Sequence, residues 1–256
     1  MVGCQVGAGS YRGTARTRAV KVTREAEIRG FLLRRYKRFF ADVETEDGRK
    51  LTVHCPNPGS MRGLLIEGAP VRCSTSDNPK RKLAHTLEMI RIGRSWVGLH
   101  TGRGNAVAAA AIDAGLVPEL SGYSIRRPEV KIDHDGLSSR IDFFLSGHRT
   151  LPDAWVEVKS VTLAEGRRAR FPDSVTERGR KHAELLGQLS TGGERGVLLF
   201  VVQRGDCTSV EPADDIDPAY GEALRNAVAR GAEVLAVGAR ITDRAIIPNR
   251  AIPVTL

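Results

Sequence analysis

Three residues near the middle of this chain have the types and spacing of a metal-dependent phosphodiesterase site. Asp142 lies inside the apolar run Ile141-Asp142-Phe143-Phe144. Glu157 and Lys159 form a Glu-x-Lys in Trp155-Val156-Glu157-Val158-Lys159-Ser160, after a short loop. Both runs read as strands. Residues two apart on a strand share a face, so Glu157 and Lys159 project together while Val156 and Val158 point to the other side. The loop 147–153 is centred on residue 150, and antiparallel pairing about that centre sets Asp142 opposite roughly position 158. Two carboxylates and an ammonium then converge at one end of a hairpin.

Hard cations such as Mg²⁺ or Mn²⁺ take oxygen ligands and keep several waters. Asp142 and Glu157 can each give one carboxylate oxygen, and the carbonyl of Val158 another. Lys159 can hold or deprotonate the attacking water, or stabilise charge on phosphorus. The plainer alternative is a salt-bridged polar face on an exposed hairpin. Asp142 argues against it, because a carboxylate inside an apolar run needs compensation.

Basic residues surround this set in sequence. Arg178, Lys181 and His182 are spaced three and four apart, which places them on one helical face suited to a phosphate backbone. Arg140 is counted with them. Gln203 ends an apolar strand and reads as a group near the same sheet edge, able to orient water or metal. In the first half, Arg35 and Arg38 are interleaved with Tyr36, Phe39 and Phe40, and Lys80-Arg81-Lys82 follows Asn78-Pro79. Basic residues among aromatics suit stacking plus phosphate contact. With 39 Lys+Arg against 30 Asp+Glu, the net charge is +9, which favours a polyanionic partner such as DNA, single-stranded or duplex.

The elements that must position these groups fall into two halves. Residues 1–26 carry five basic residues and almost no apolar periodicity, and read as a disordered basic tail. Residues 27–103 hold short strand-like runs separated by turn signals such as Glu46-Asp47-Gly48 and Asn57-Pro58-Gly59, the pattern of a small oligonucleotide/oligosaccharide-binding (OB) barrel or of a sandwich. Residues 104–256 alternate. A helix spans about 105–114, then three strands, and a helix over about 175–189 with Ser174 and Glu177 at capping-box spacing. The nearly continuous apolar run 196–203 reads as a strand covered on both faces, followed by a helix over 218–230 and a strand over 233–237. This is an α/β domain.

The four cysteines, Cys4, Cys55, Cys73 and Cys207, make no metal or disulfide pattern and read as buried or idle thiols. No run of about 18 apolar residues exists and no signal segment is visible, so no membrane contact and a cytoplasmic place are expected. The pair Gly102-x-Gly104 before the helix is a weak nucleotide-loop signal.

These stretches together resemble the sugar fermentation stimulation protein A family of bacteria and archaea. The resemblance rests on His54-Cys55-Pro56-Asn57-Pro58-Gly59-Ser60-Met61, Asn78-Pro79-Lys80-Arg81-Lys82, Ser139-Arg140-Ile141-Asp142-Phe143, Val156-Glu157-Val158-Lys159-Ser160, Phe171-Pro172-Asp173, Thr176 to His182 and Leu199 to Arg204. It implies an OB-fold barrel followed by a restriction-endonuclease-like, PD-(D/E)XK, α/β domain. It also implies DNA binding and a part in regulating sugar use. The nuclease-like signature falls on Asp142, Glu157 and Lys159, with Glu129 as a further acid and Gln203 as an accessory. Three positions depart from the family pattern: Ser60 stands where an arginine is usual, Lys37 where an asparagine is, and Pro128 is unusual beside Glu129. A DNA binder that hydrolyses phosphodiesters and a purely regulatory binder without catalysis both fit.

Overall fold

The computed structural model describes residues 20–21, 28–134 and 136–256. The expected tail therefore lies outside the described residues, except that Val20–Lys21 forms a short strand, β1.

The first half forms β2 (Ile28–Tyr36), β3 (Phe40–Thr45), β4 (Lys50–His54), β5 (Pro70–Thr75), β6 (His85–Ile92) and β7 (Ser95–Gly98). They run in the order β4-β3-β2-β5-β6-β7, and a pairing of His54 with Thr86 joins β4 to β6. That contact closes β2 to β6 into a five-stranded OB barrel and leaves β7 outside. Register shifts at Leu32/Arg34 and Arg72/Cys73 bend the strands enough to close. Alternate residues Ala41, Val43, Val53, Val71 and Cys73 fill the interior.

The second half is built on a seven-stranded sheet. Its strands are β8 (Ile125–His134), β9 (Leu137–Ser146), β10 (Ala154–Val161), β13 (Arg195–Val202), β15 (Glu233–Ile241) and β16 (Ala245–Ala251), with β1 at the far edge. The centre, β10-β13-β15, is parallel. Its strands are buried on both faces, which is why 196–203 reads as one apolar run. Helix α1 (Arg103–Asp113) covers one face, and α2 (Glu177–Thr191) and α3 (Pro218–Ala229) the other. A small second sheet joins β11 (Leu163–Glu165), β12 (Arg168–Phe171) and β14 (Ser209–Pro212).

Sequence signals for α2 misplace its start. The cap is Thr176, whose hydroxyl accepts the Gly179 N–H, not Ser174. Asp217 caps α3 in the same manner through the Tyr220 N–H. The glycines before α1 have a packing reason: a Cβ on Gly104 would stand 2.2 Å from Ser160 Oγ. Cys55, Cys73 and Cys207 are buried free thiols, and burial pushes the Cys73 thiol up to about 12. Among the described residues no helix is long and apolar enough to cross a membrane.

Candidate active site

The sheet register brings the central carboxylates level. Pairs Leu145–Ala154, Phe144–Trp155 and Phe143–Val156 extrapolate to Asp142 opposite Glu157, one residue from the position read by hairpin symmetry. Ladder pairing between β9 and β10 stops at Phe143–Val156, and Asp142 occupies the parting. Its Oδ2 accepts the freed Val158 N–H at 2.8 Å, and its Oδ1 accepts from Asn105 Nδ2 of α1 at 2.7 Å.

Glu157 and His182 are both buried. Lys159 Nζ donates to Glu157 Oε1 at 2.6 Å, and His182 Nδ1 contacts the same oxygen. On its other side His182 Nε2 lies 3.1 Å from Ser139 Oγ and 3.5 Å from Arg178 Nε. Lys159 Nζ also lies 3.1 Å from Nδ1, so the imidazole, the ammonium and the Glu157 carboxylate form one three-way contact. Glu157 Oε2 is buried with no hydrogen-bond partner among the described residues.

Electrostatics separate the two acids. Burial works against the Glu157 carboxylate, but the His182 hydrogen bond and the Lys159 charge outweigh it and hold the group below the usual carboxylate range. Asp142 goes the other way: burial first, then the Glu157 charge, push it up against the opposing pull of Val158 N–H, Asn105 and Lys159. Two acids that disfavour each other's charge, one with an orphaned oxygen, fit a divalent cation between them. Among the described residues no group of three or more His, Cys, Asp and Glu gathers to hold a metal. Asp142 and Glu157 are the two carboxylates that could hold such an ion, with its other positions left to water and phosphate.

Other expected site residues scatter. Glu129 is exposed, faces Asp142 by register across β8–β9 with a left-handed backbone (φ 52°), and among the described residues makes no hydrogen bond or ion pair with the cluster. Gln203 is fully buried, but its side chain lies against Gly98 of β7 and Ile246. It alternates with Val197, Leu199 and Val201 and so faces α1, away from Glu157 and Lys159. His182 is not a surface phosphate ligand; it is the buried partner of Glu157. Arg178, Lys181 and Arg140 are exposed around the cluster.

On the barrel, Arg35 is committed to structure. Its guanidinium donates to the carbonyls of Arg38, Asn57 and Gly59. Arg38 is exposed and reaches the Pro58 carbonyl. Arg81 donates to Thr86 Oγ1, while Lys80 and Lys82 are exposed. The loop 55–61 latches the barrel to the α/β domain. Met61 N–H donates to Asp173 Oδ2, Ser60 Oγ donates to the Asp173 carbonyl, and a Cβ on Gly59 would collide with the Asp173 carboxyl. Sequence reasoning missed Asn105, Ser139 and the buried Tyr220, whose hydroxyl the Glu157 charge influences. Asn105, a poor residue inside a helix, carried the one usable signal.

Residues 33–99 match the family described as the SfsA N-terminal OB domain, and residues 102–245 the sugar fermentation stimulation protein RE domain. A sugar fermentation stimulation protein homolog of Geobacter metallireducens is 50% identical over 227 residues, covering 89% of this chain and 96% of that one. A homolog from Halorhodospira halophila is 50% identical over 226 residues, 87% of this chain and 93% of its own. The solved structure of Pyrococcus furiosus SfsA in complex with Ca²⁺ superposes with a TM-score of 0.82 at 24% identity, over 93% of this chain and 100% of that one.

Proposed function

This chain belongs to the sugar fermentation stimulation protein family, and we propose that it binds DNA and hydrolyses its phosphodiester bonds at the Asp142–Glu157 centre. The observation that carries the reading is the buried, unpartnered Glu157 Oε2 beside a second carboxylate whose charge it opposes. A buried carboxylate oxygen is ordinarily paired, so one left over beside a second acid is where a cation would sit. The Ca²⁺ bound by the Pyrococcus furiosus relative supports an oxygen-ligated divalent cation.

Asp142 and Glu157 would hold Mg²⁺ or Mn²⁺, which when bound polarises the scissile phosphate and lowers the pKa of a coordinated water. Lys159 uses one ammonium proton on Glu157 Oε1, and its remaining protons can orient the attacking water or meet the charge that grows on phosphorus. The buried His182 ring against Glu157 Oε1 favours the ionised carboxylate and fixes its rotamer. Arg178, Lys181 and Arg140 supply exposed positive charge for the flanking phosphates. A part in regulating sugar use would follow from where on DNA the protein acts.

The test is incubation with plasmid and with oligonucleotides in Mg²⁺, Mn²⁺ or EDTA. Metal-dependent cleavage lost in Asp142→Ala and Glu157→Gln is the expected result. Salt-sensitive binding that survives Glu157→Gln, with no cleavage by the wild type in either metal, would overturn hydrolysis and leave a regulatory binder.

A further inference from the structure

A cavity of about 250 Å³ lies between the barrel and the α/β domain, at the end of the strand that carries Glu157 and Lys159. Ser160, which follows Lys159, is in its wall, as is Thr176, which caps the helix carrying His182. Two further wall residues are nearly inaccessible polar groups with unused hydrogen-bonding capacity. Asn57 is 4% exposed and Thr162 is 6% exposed. Asn57 Oδ1 accepts the Gly59 N–H, but among the described residues its Nδ2 has no partner. The Thr162 hydroxyl likewise has none, although its carbonyl is taken by Arg204.

The chemistry of the walls selects the occupant. Asp173 offers a carboxylate with one oxygen already accepting from Met61, and a second anion beside it would be repelled. The Arg170 guanidinium in the same wall is already paired with Glu165, Glu211 and Asp215, so a phosphate is a poorer guest than a neutral group. An amide donor, a hydroxyl and a carboxylate acceptor match the mixed donor and acceptor edge of a nucleobase. Phe171 supplies an aromatic surface, held in place by ring contacts with Phe200 and Tyr220. At the mouth, Val175 is 67% exposed, and Arg38 is followed by the exposed Phe39. Exposed apolar groups beside a cation suit an unstacked nucleotide.

We infer that this cavity takes one unpaired nucleobase of the strand whose phosphodiester lies at Asp142, Glu157 and Lys159. The substrate is then single-stranded or carries an extruded nucleotide. The inference rests on the reading of that centre as a DNA site. Thr162 stands three residues beyond Lys159, about 10 Å along extended chain, just past the end of β10 at Val161, so the base next to a phosphate held at the lysine reaches it by passing round the strand end.

The test measures binding of the full chain to a short oligonucleotide carrying one 2-aminopurine, as a single strand and annealed to its complement, in Ca²⁺ and in EDTA. The single strand should bind at least about ten-fold more tightly, with a change in 2-aminopurine fluorescence. Thr162→Val, which keeps the shape and removes the hydroxyl, and Val175→Trp, which blocks the mouth from an exposed position, should each weaken single-strand binding about ten-fold. Both should leave duplex affinity and thermal stability unchanged. Asp142→Asn should lose the Ca²⁺ dependence and keep the strand preference. Equal affinity for both forms, or a preference that Val175→Trp does not alter, overturns the inference while metal-dependent cleavage of duplex leaves the centre standing. Binding of neither form overturns both.

Discussion

Asp142→Asn should make the protein more stable without metal and less stable with it. Burial and the Glu157 charge push the Asp142 carboxyl up in the folded state. A raised carboxylate pKa means that the fold binds the proton more tightly than the unfolded chain does. The ionised group then destabilises the fold above its folded value and costs nothing below its unfolded value. In EDTA at pH 7 the asparagine variant should therefore melt at the higher temperature, and its advantage should shrink with falling pH and vanish by about pH 3. The local hydrogen bonds survive: the new carbonyl accepts from Val158 N–H, and the new amide donates to Asn105 once that side chain flips. Metal reverses the order. At a concentration of about 100 times Kd, a ligand specific for the fold adds about 2.7 kcal/mol. At about 2–4 °C per kcal/mol for a chain of this size, that is about 5–10 °C for the wild type and little for the variant. Calorimetry in EDTA and in Mg²⁺ or Ca²⁺ reads both effects. A wild type that is already the more stable protein in EDTA would refute the electrostatic reasoning, and equal metal shifts in both proteins would refute the site.

Lys159→Met removes one partner of an ion pair whose side chains are 13% and 5% exposed. It should cost about 3 kcal/mol, the lower end for a broken buried pair because His182 still serves Glu157; an unchanged urea midpoint would show that the pair contributes nothing. Arg35→Ala should lower stability by about 2–3 kcal/mol through its lost carbonyl contacts, and leave the salt dependence of DNA binding as it was. Lys80→Ala and Lys82→Ala should do the reverse, each reducing the slope of log affinity against log salt by about 1 if the residue meets a phosphate. Gly104→Ala forces a Cβ to 2.2 Å from Ser160 Oγ and should cost about 1–3 kcal/mol. Adding Ser160→Ala leaves only an ordinary 3.5 Å contact with Cβ, so the double variant should recover most of that loss.

What could be read from sequence follows the range of the signal. Asp142, Glu157 and Lys159 were legible because strand alternation and hairpin symmetry are local, and the register erred by only one residue. Gln203 was misread because its parity against Glu157 depends on the parallel pairing of Glu157 with Leu198 and Lys159 with Phe200, which puts odd residues of β13 on the opposite face. His182 was read as a surface charge, although it shares the buried stripe of Leu185, Leu186 and Leu189 at helical spacing. That stripe was visible; its meeting with Glu157 was not. Arg35 looked like a phosphate ligand because nothing within β2 shows that the loop 57–59 folds back over it. The short strands β11, β12 and β14 escaped because three or four residues carry too little alternation to register.

The barrel and the α/β domain are joined so as to fix the site. Glu88 is buried on β6, accepts from Ser74 Oγ, and pairs with Arg103 at 2.8 Å at the start of α1. Two residues further along that helix Asn105 holds Asp142. Gly98 N–H donates to the Gln203 carbonyl, so β7 docks on the end of β13, and Asp173 grips the loop at Met61. A buried charge such as Glu88 is costly unless paired, so sliding the barrel off α1 would expose that cost and release the residue that aims Asp142. The cavity between Asn57 and Thr162 has walls from both sides of the same seam. Neither domain alone contains it, so a base bound there and a phosphate bound at Lys159 would be referred to one frame.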